Sequence, residues 1–298
     1  MDIRVKTATV SVMSNSALVI MKFAVGITMG SVSVISEAIH SGLDLAASLI
    51  DFFSLRQAIK PADKRHRFGH GKIENAAGFA EAILIFVAAI WIILNAYKKL
   101  TGEVAIDVDN LGLGIAVMGI ASIVNILVSR HMFKVGKATD SIALQADATH
   151  LATDVLTSAG VMVGLILMWI TGIQILDPIV AILVALMIIK ASYELTKHAF
   201  LPLLDISLPE EEEEEIIAII NRHKGEFINF HQLRTRKAGS ERHIDLHLVV
   251  PKGYNTPASY DISSHIRMEI IERFPAANVL VTIEPCKDVC EHCGSKLC

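Results

Sequence analysis

Long apolar stretches with few charges dominate the chain as far as Leu204. Stretches of about 20 apolar residues are long enough to cross the roughly 30 Å hydrocarbon core of a bilayer. The pattern therefore predicts six membrane-spanning helices, in a transport domain that covers residues 1–204. The predicted spans run approximately over 9–29, 32–53, 76–94, 111–128, 143–170 and 178–195.

The pattern changes from apolar to mixed near Asp205, and we predict a soluble domain over residues 205–285. Ser207 and Glu210 have the spacing of a capping box, which predicts a helix start. Apolar and polar residues alternate over 244–250, as is typical of a half-buried strand. With strands at 230–236 and 278–284 and a helix at 258–274, the predicted order is α-β-β-α-β. This order favours a small ferredoxin-like α+β domain with its helices on one sheet face.

Composition agrees with a membrane protein, since 52% of the 298 residues are hydrophobic and only 19% are charged. Basic residues concentrate in the loops after the second and fourth predicted spans, and Lys and Arg are retained on the cytoplasmic side of membranes. We therefore expect these loops and both termini to be cytoplasmic, and we expect no nucleic-acid partner. The basic residues of the two loops are Arg56, Lys60, Lys64, Arg65, Arg67, Lys72, Arg130, Lys134 and Lys137.

Two HxxxD motifs lie inside the predicted spans, His40 with Asp44 and His150 with Asp154. Residues four apart lie on one helix face, so each motif offers two ligands. If the two helices face each other, two imidazoles and two carboxylates converge, a donor set that suits tetrahedral zinc. Ionisable residues in a membrane are costly and usually mark an ion pathway. The alternative is that these pairs only tie helices together by hydrogen bonds.

A second candidate site lies in the loop between the second and third predicted spans. Asp63, His66 and His70 are three zinc-type ligands within eight residues. Gly69 and Gly71 flank His70 and give the backbone freedom to turn it toward a metal. The alternative is a solvated basic loop at the membrane surface.

The last segment, 286–298, is a cysteine-rich tail that contains all four cysteines of the chain. Cys290 and Cys293 form a CxxC motif. Cytoplasmic thiols are kept reduced, so a disulfide framework is not expected. We predict that these thiols bind zinc or a softer ion. Redox sensing and a passive tail are the alternatives.

These motifs together make the chain resemble the cation diffusion facilitators, a family of dimeric divalent-metal/proton antiporters. The resemblance rests on the paired HxxxD motifs, on the loop over 63–72 and on the segment 231–236 that opens the soluble domain. It implies six transmembrane helices, a cytoplasmic metallochaperone-like domain, and a homodimer that exports metal by alternating access.

The resemblance also implies roles for individual residues. Asp147 would hold the His150 tautomer or relay protons, with a helix–helix hydrogen bond as the alternative. Lys72 would pair with Asp205 where the two domains meet. Thr282 stands where relatives often have histidine, which leaves open how many metals the soluble domain binds. The ligands implied for that domain are His231, His247, His265 and Glu284, with exposed residues of no metal-binding role as the alternative.

The expected function is proton-coupled efflux of a divalent transition metal, because metal binding requires deprotonated ligands and histidine titrates near physiological pH. Zinc is the expected ion, with cadmium, cobalt and iron as passengers, and no organic cofactor is expected. The expected location is a bacterial inner membrane. The alternative is a non-transporting metal sensor or scaffold on the same fold. An intramembrane metalloprotease is disfavoured because the chain has no HExxH motif.

Some polar residues of the spans are assigned to helix contacts and not to the transport site. These residues are Asn15, Lys22, Glu37, Glu81 and Asn125.

Overall fold

The computed structural model describes residues 2–29, 32–101, 111–171 and 175–286. The contacts between residues group the chain into two compact units, Met1–Phe200 and Leu201–Cys298. The first unit consists of long helices of 25 to 30 residues. At about 1.5 Å per residue, each exceeds the thickness of a bilayer core. The helices are α1 (Ile3–Met29), α2 (Val32–Ala58), α3 (Lys72–Leu100), α4 (Leu111–Ala138), α5 (Ile142–Thr171) and α6 (Leu176–Phe200).

Helical membrane architecture is as the sequence predicts, and the described residues identify some of the spans directly. Three segments are long and apolar enough to cross a membrane, Ile3–Val25, Lys72–Lys98 and Pro178–Leu204. The spans predicted in α2, α4 and α5 remain predictions. They coincide with helices of 27, 28 and 30 residues.

Helix α5 lies at the centre of the first unit, because it contributes to two separate apolar clusters. In one, Ala143, Leu144 and Leu151 of α5 pack with residues of α1, α2 and α4. In the other, Ala146 packs with residues of α3 and α6. Close packing on several sides fixes the rotation of α5, and so the direction in which its polar residues point.

Close approach between α5 and α6 depends on a glycine. A Cβ atom added at Gly160 would lie 2.6 Å from the Cγ2 atom of Val184, well inside van der Waals contact. Small residues at such points let membrane helices pack backbone to backbone.

The second unit contains the predicted α-β-β-α-β order. A 3-10 turn (Leu201–Leu204) precedes α7 (Glu210–Arg222), β1 (Asn229–Ala238), β2 (Glu241–Val250), α8 (Thr256–Arg273) and β3 (Ala277–Pro285). The sheet order is β1-β2-β3, with β1 antiparallel and β3 parallel to β2. Helix α8 makes the crossover that a parallel pair requires.

The core of the second unit lies between one face of the sheet and the two helices. The alternating apolar residues of β2 are buried, as the sequence predicts, and pack against apolar residues of α7 and α8. Because neighbouring side chains of a strand point to opposite faces, the polar residues between them lie on the face without helices. The β2 core residues are Ile244, Leu246, Leu248 and Val250.

A β-bulge interrupts β1 next to a predicted ligand. His231 pairs with His247, and the next paired residue, Arg234, faces Asp245, so β1 has one residue more than β2 here. Gln232 sits in this bulge with a φ of 51°, in the left-handed region that side chains rarely adopt. Bulges of this kind redirect a side chain.

The predicted capping box at Ser207 is wrong. Helix α7 begins after Pro209, which occupies the N-cap position, and no side-chain hydrogen bond caps the helix. Four glutamates fill the first turn, Glu210 to Glu213. Negative charge at a helix N-terminus is favoured by the helix dipole, and this replaces the cap.

A bidentate ion pair joins α7 to the sheet and makes the stability of this unit pH-dependent. Arg242 donates to both Glu212 oxygens, at 2.7 and 2.8 Å. These hydrogen bonds lower the pKa of Glu212 below its ordinary value of 4.5, against the opposing effect of burial. A carboxyl with a lowered folded pKa stabilises the fold above pH 4.5, and this stabilisation is lost as pH falls through the folded pKa.

Glu212→Gln is therefore expected to destabilise the second unit at pH 7 by less than about 1 kcal/mol, because the pair is partly solvated. The difference from the native chain should disappear as pH falls below 4.5. Amide hydrogen exchange of β2 peptides in the full chain, corrected for intrinsic rates, measures this. Glu214→Gln, at an exposed position of the same helix, should have little effect at either pH.

Candidate metal centres

The His150 cluster joins α2 and α5 through three of the predicted ligands. The Nε2 atom of His150 lies 3.2 Å from the Oδ1 atom of Asp44 and 4.0 Å from the Oδ2 atom of Asp154. One donor atom from each of the three lies within 4.8 Å of the other two. Ligand atoms of a tetrahedral zinc site with bonds near 2.0–2.1 Å are about 3.4 Å apart, so small side-chain shifts would accommodate the ion.

The side chains of this cluster are mostly buried but remain partly accessible to solvent. The side chains of His150 and Asp44 are 12% and 11% exposed, and that of Asp154 is 22% exposed. His40, the fourth predicted ligand, lies one turn before Asp44 in α2, and its side chain is outside the described part of the structure.

Asp147 does not contact His150 in the way that a tautomer-setting residue would. The Nδ1 atom of His150 has no hydrogen-bond partner among the described residues. Asp147 instead accepts a hydrogen bond from Ser48 of α2 at 3.2 Å. Ser48 also accepts one from Asn15 of α1 at 2.7 Å, so this network ties three helices together.

The loop cluster brings together Asp63, His66 and His70 as predicted from their spacing. The Oδ2 atom of Asp63 lies 3.4 Å from Nε2 of His70, and its Oδ1 atom lies 3.5 Å from Nδ1 of His66. Gly69, with a φ of 83°, makes the left-handed turn that brings His70 back toward Asp63. The three residues are thus held by a local turn, independent of long-range packing.

Backbone amides fix the charge of Asp63. The amide groups of His66 and Arg65 donate to its Oδ1 atom at 2.6 and 2.7 Å. These hydrogen bonds lower the pKa of Asp63, the bond from His66 having the largest effect. The carboxylate therefore stays ionised, as a metal ligand must.

The cluster in the second unit uses one residue from each strand. Glu284 of β3 contacts His247 of β2, with 2.7 Å between Oε1 and Nδ1, and His231 of β1, with 3.4 Å between Oε2 and Nε2. All three project from the sheet face that carries no helices. Thr282 pairs with His247 across the β2–β3 ladder and therefore lies on the same sheet face as these three residues.

His265 is not brought to this cluster. It lies on α8 with its side chain exposed, between the core residues Ile262 and Ile266. Because α8 packs on the face of the sheet opposite to the cluster, a side chain of α8 cannot reach Glu284 within one chain.

The remaining predicted residues are placed as follows. Cys290 and Cys293 lie outside the described residues, and of the four cysteines the structure describes only Cys286, which is buried. Lys72 begins α3. Asp205 accepts a hydrogen bond from Arg236 at 3.1 Å within the second unit, and its predicted pairing with Lys72 stays a prediction.

A fourth cluster escaped sequence reasoning. Asp51, Glu81 and Asp147 bring carboxylate oxygens within 4.8 Å of one another inside the first unit. The sequence assigns Glu81 to helix contacts and gives no role to Asp51. The one available signal was that Asp51 follows Asp44 by seven residues, which places both on one face of α2.

Comparison with known proteins gives matches along most of the chain. The profile of the cation efflux transmembrane domain matches residues 8–204, and that of the cytoplasmic domain of cation efflux proteins matches residues 208–286. An uncharacterized transporter of Synechocystis is 35% identical, over 87% of this chain and 83% of its own. The cation-efflux pump FieF of Yersinia pestis is 32% identical, over 92% of this chain and 90% of its own.

Solved structures give a shorter match. A structure of CzrB, described as a proposed zinc transporter, is 27% identical and covers 27% of this chain and 100% of its own, with a TM-score of 0.26.

Proposed function

Since the chain belongs to the cation efflux family of membrane transporters, we propose that it exports zinc from the cytoplasm in exchange for protons. The observation that supports this most is the cluster of Asp44, His150 and Asp154 between two helices of the transmembrane unit. An imidazole nitrogen with two carboxylates favours zinc over harder ions, which prefer oxygen ligands alone. The two negative charges also neutralise one divalent cation, which lowers the cost of burying it.

Proton coupling follows from competition for the same atoms. The Nε2 atom of His150 and the Oδ1 atom of Asp44, 3.2 Å apart, can share a proton when no metal is present. A zinc ion needs the lone pair of this nitrogen and the charge of this oxygen, so binding displaces the proton. Protonation from the opposite side of the membrane then returns the pair to its metal-free state and releases zinc.

His40 completes this site in our proposal as the fourth ligand, because it shares a helix face with Asp44. The loop cluster and the cluster of the second unit would bind the same ion on the cytoplasmic side. The tail thiols Cys290 and Cys293 are proposed as a further zinc site.

Orientation and assembly complete the proposal. The match of residues 208–286 to a cytoplasmic domain, together with the basic loop after α2, supports cytoplasmic termini. We propose a homodimer in a bacterial inner membrane, as the resemblance implies. A membrane metal sensor that does not transport is the competing function.

Zinc uptake into proteoliposomes loaded with a zinc-sensitive dye tests this function. Under an imposed proton gradient, we expect uptake by the native chain and loss of uptake in Asp154→Ala, which removes one of the two carboxylates. Asp261→Ala is the matched control, because Asp261 is an exposed carboxylate of α8.

The result that would reject transport is an absence of flux from correctly folded native chain with zinc, cadmium, cobalt, iron and manganese. Equilibrium zinc binding without flux would instead favour the sensor. Zinc flux that is independent of the proton gradient would reject proton antiport but leave zinc transport in place.

A further inference from the structure

The acidic cluster of Asp51, Glu81 and Asp147 is the most deeply buried group of potential ligands in the described residues. The three residues come from α2, α3 and α5 and are 1%, 3% and 0% exposed. We propose that they form a second intramembrane site for a divalent cation, distinct from the His150 cluster and built of oxygen ligands alone.

Buried oxygens without a hydrogen-bond donor support a cation site at this cluster. In the described part of the chain, no donor from outside the cluster reaches either oxygen of Asp51, either oxygen of Glu81 or the Oδ2 atom of Asp147, and the carboxyls of Asp51 and Glu81 face each other. Buried polar atoms in proteins are almost always paired, and a group of five unpaired oxygens in one place needs an explanation. A bound cation supplies one, because it satisfies several carboxylates at once.

Glu74 shows how the same unit treats a buried carboxylate that has a structural role. It is also fully buried on α3, yet Ser141 and the amide of Ala143 donate to its Oε1 atom. Arg4 lies 3.7 Å from its other oxygen. The Oε1 atom of Glu74 thus has two donors, and its Oε2 atom, which accepts no hydrogen bond, lies near a guanidinium, whereas Asp51 and Glu81 face carboxylate oxygens.

Charge favours a divalent ion at this point. Burying three carboxylates together without compensation is prohibitive, because desolvation and mutual repulsion add. One divalent cation neutralises two of the charges, and a single proton suffices for the third.

The position of the cluster relative to the His150 site suggests its role. Asp51 follows Asp44 by seven residues, or about 10 Å along α2. Asp147 precedes His150 in α5, so both displacements point toward the loops at 59–71 and 139–141. Ser48, which bonds Asp147 at 3.2 Å, lies between the two clusters on α2. Given the proposed export from the cytoplasm, a cytoplasmic cation meets the acidic cluster before it meets the His150 site.

All-oxygen sites have a distinct selectivity. Carboxylates without nitrogen or sulfur suit manganese and magnesium, which prefer oxygen ligands. We therefore infer that this site accepts hard divalent cations that the His150 cluster does not retain, and Mn²⁺ is the probe of choice.

Equilibrium Mn²⁺ binding to the full chain in nanodiscs, measured by electron paramagnetic resonance, tests the site. The background carries His70→Ala, His150→Ala and His247→Ala, which remove an imidazole from each of the other clusters. We expect this chain to bind Mn²⁺ and to lose one equivalent per chain when Asp51→Asn and Glu81→Gln are added. Both amides keep the volume of the acid that they replace.

Glu74→Gln is the matched control, a buried carboxylate of the same helix, and should leave the Mn²⁺ count unchanged. Asp147→Asn alone serves as a second variant should the double substitution fail to fold, and should weaken Mn²⁺ binding at least tenfold. An unchanged count in the variants, or no Mn²⁺ binding in the background, would overturn the proposal and leave the cluster as a carrier of protons only. Binding is measured without flux, so this result is independent of whether zinc transport occurs.

Discussion

Replacing His150 with alanine is expected to lower zinc transport by about a hundredfold or more, since even residues that only orient metal ligands contribute about 10–100-fold. Among the described donors of the His150 cluster, His150 supplies the one nitrogen, and it contacts both carboxylates of the cluster. Without it, Asp44 and Asp154 offer oxygen atoms alone, and the preference for zinc is lost with the affinity.

Initial rates of zinc uptake in proteoliposomes measure the effect. His198→Ala is a suitable control, because His198 is an exposed imidazole near the end of α6 and belongs to none of the described clusters. Equal losses in the two variants would show that the effect comes from folding or insertion. A His150→Ala chain that transports zinc at the native rate would remove this cluster from the transport mechanism.

The largest stability effect is expected in the core of the second unit. Leu248 of β2 is fully buried in the cluster between sheet and helices. Truncation of a buried leucine to alanine costs about 2–5 kcal/mol, because apolar contacts are lost and a cavity remains. For a domain of this size, that is a large fraction of a typical total stability of about 5–15 kcal/mol.

Leu280→Ala on the neighbouring strand β3 provides the comparison, since Leu280 is 59% exposed. We expect this change to stay within about 0.5 kcal/mol. Hydrogen exchange of α8 amides in the full chain reports both effects, because α8 packs on the same core. Equal effects of the two substitutions would mean that the leucine of β3 is covered in the assembled protein.

Local spacing explains which sites could be predicted from the sequence. In the HxxxD motif around His150, helix periodicity alone places both ligands on one face. The loop ligands Asp63, His66 and His70 are held by one short turn, so their closeness also follows from local structure. The order of the soluble elements could be predicted because β2 alternates apolar and polar residues along its length.

Long-range packing explains what was missed. Asp51 and Glu81 meet only because α2, α3 and α5 pack together, and nothing local in the sequence encodes that contact. Glu81 on its own is indistinguishable from a buried helix-contact residue such as Glu74. His265 is separated from the cluster for a related reason, since its helix covers the opposite sheet face, and a match in sequence position does not specify a face.

The bulge at Gln232 keeps His231 on the same sheet face as His247. Arg234 faces Asp245, so a β1 strand that kept Gln232 in a regular ladder would align His231 with Leu248, whose side chain enters the core. Forcing Gln232 into the ladder would therefore turn the imidazole of His231 inward, whereas deleting Gln232 would leave His231 opposite His247. In a lineage of such chains, loss of this residue should preserve the pairing of His231 with His247, whereas a further residue inserted into β1 should be selected against.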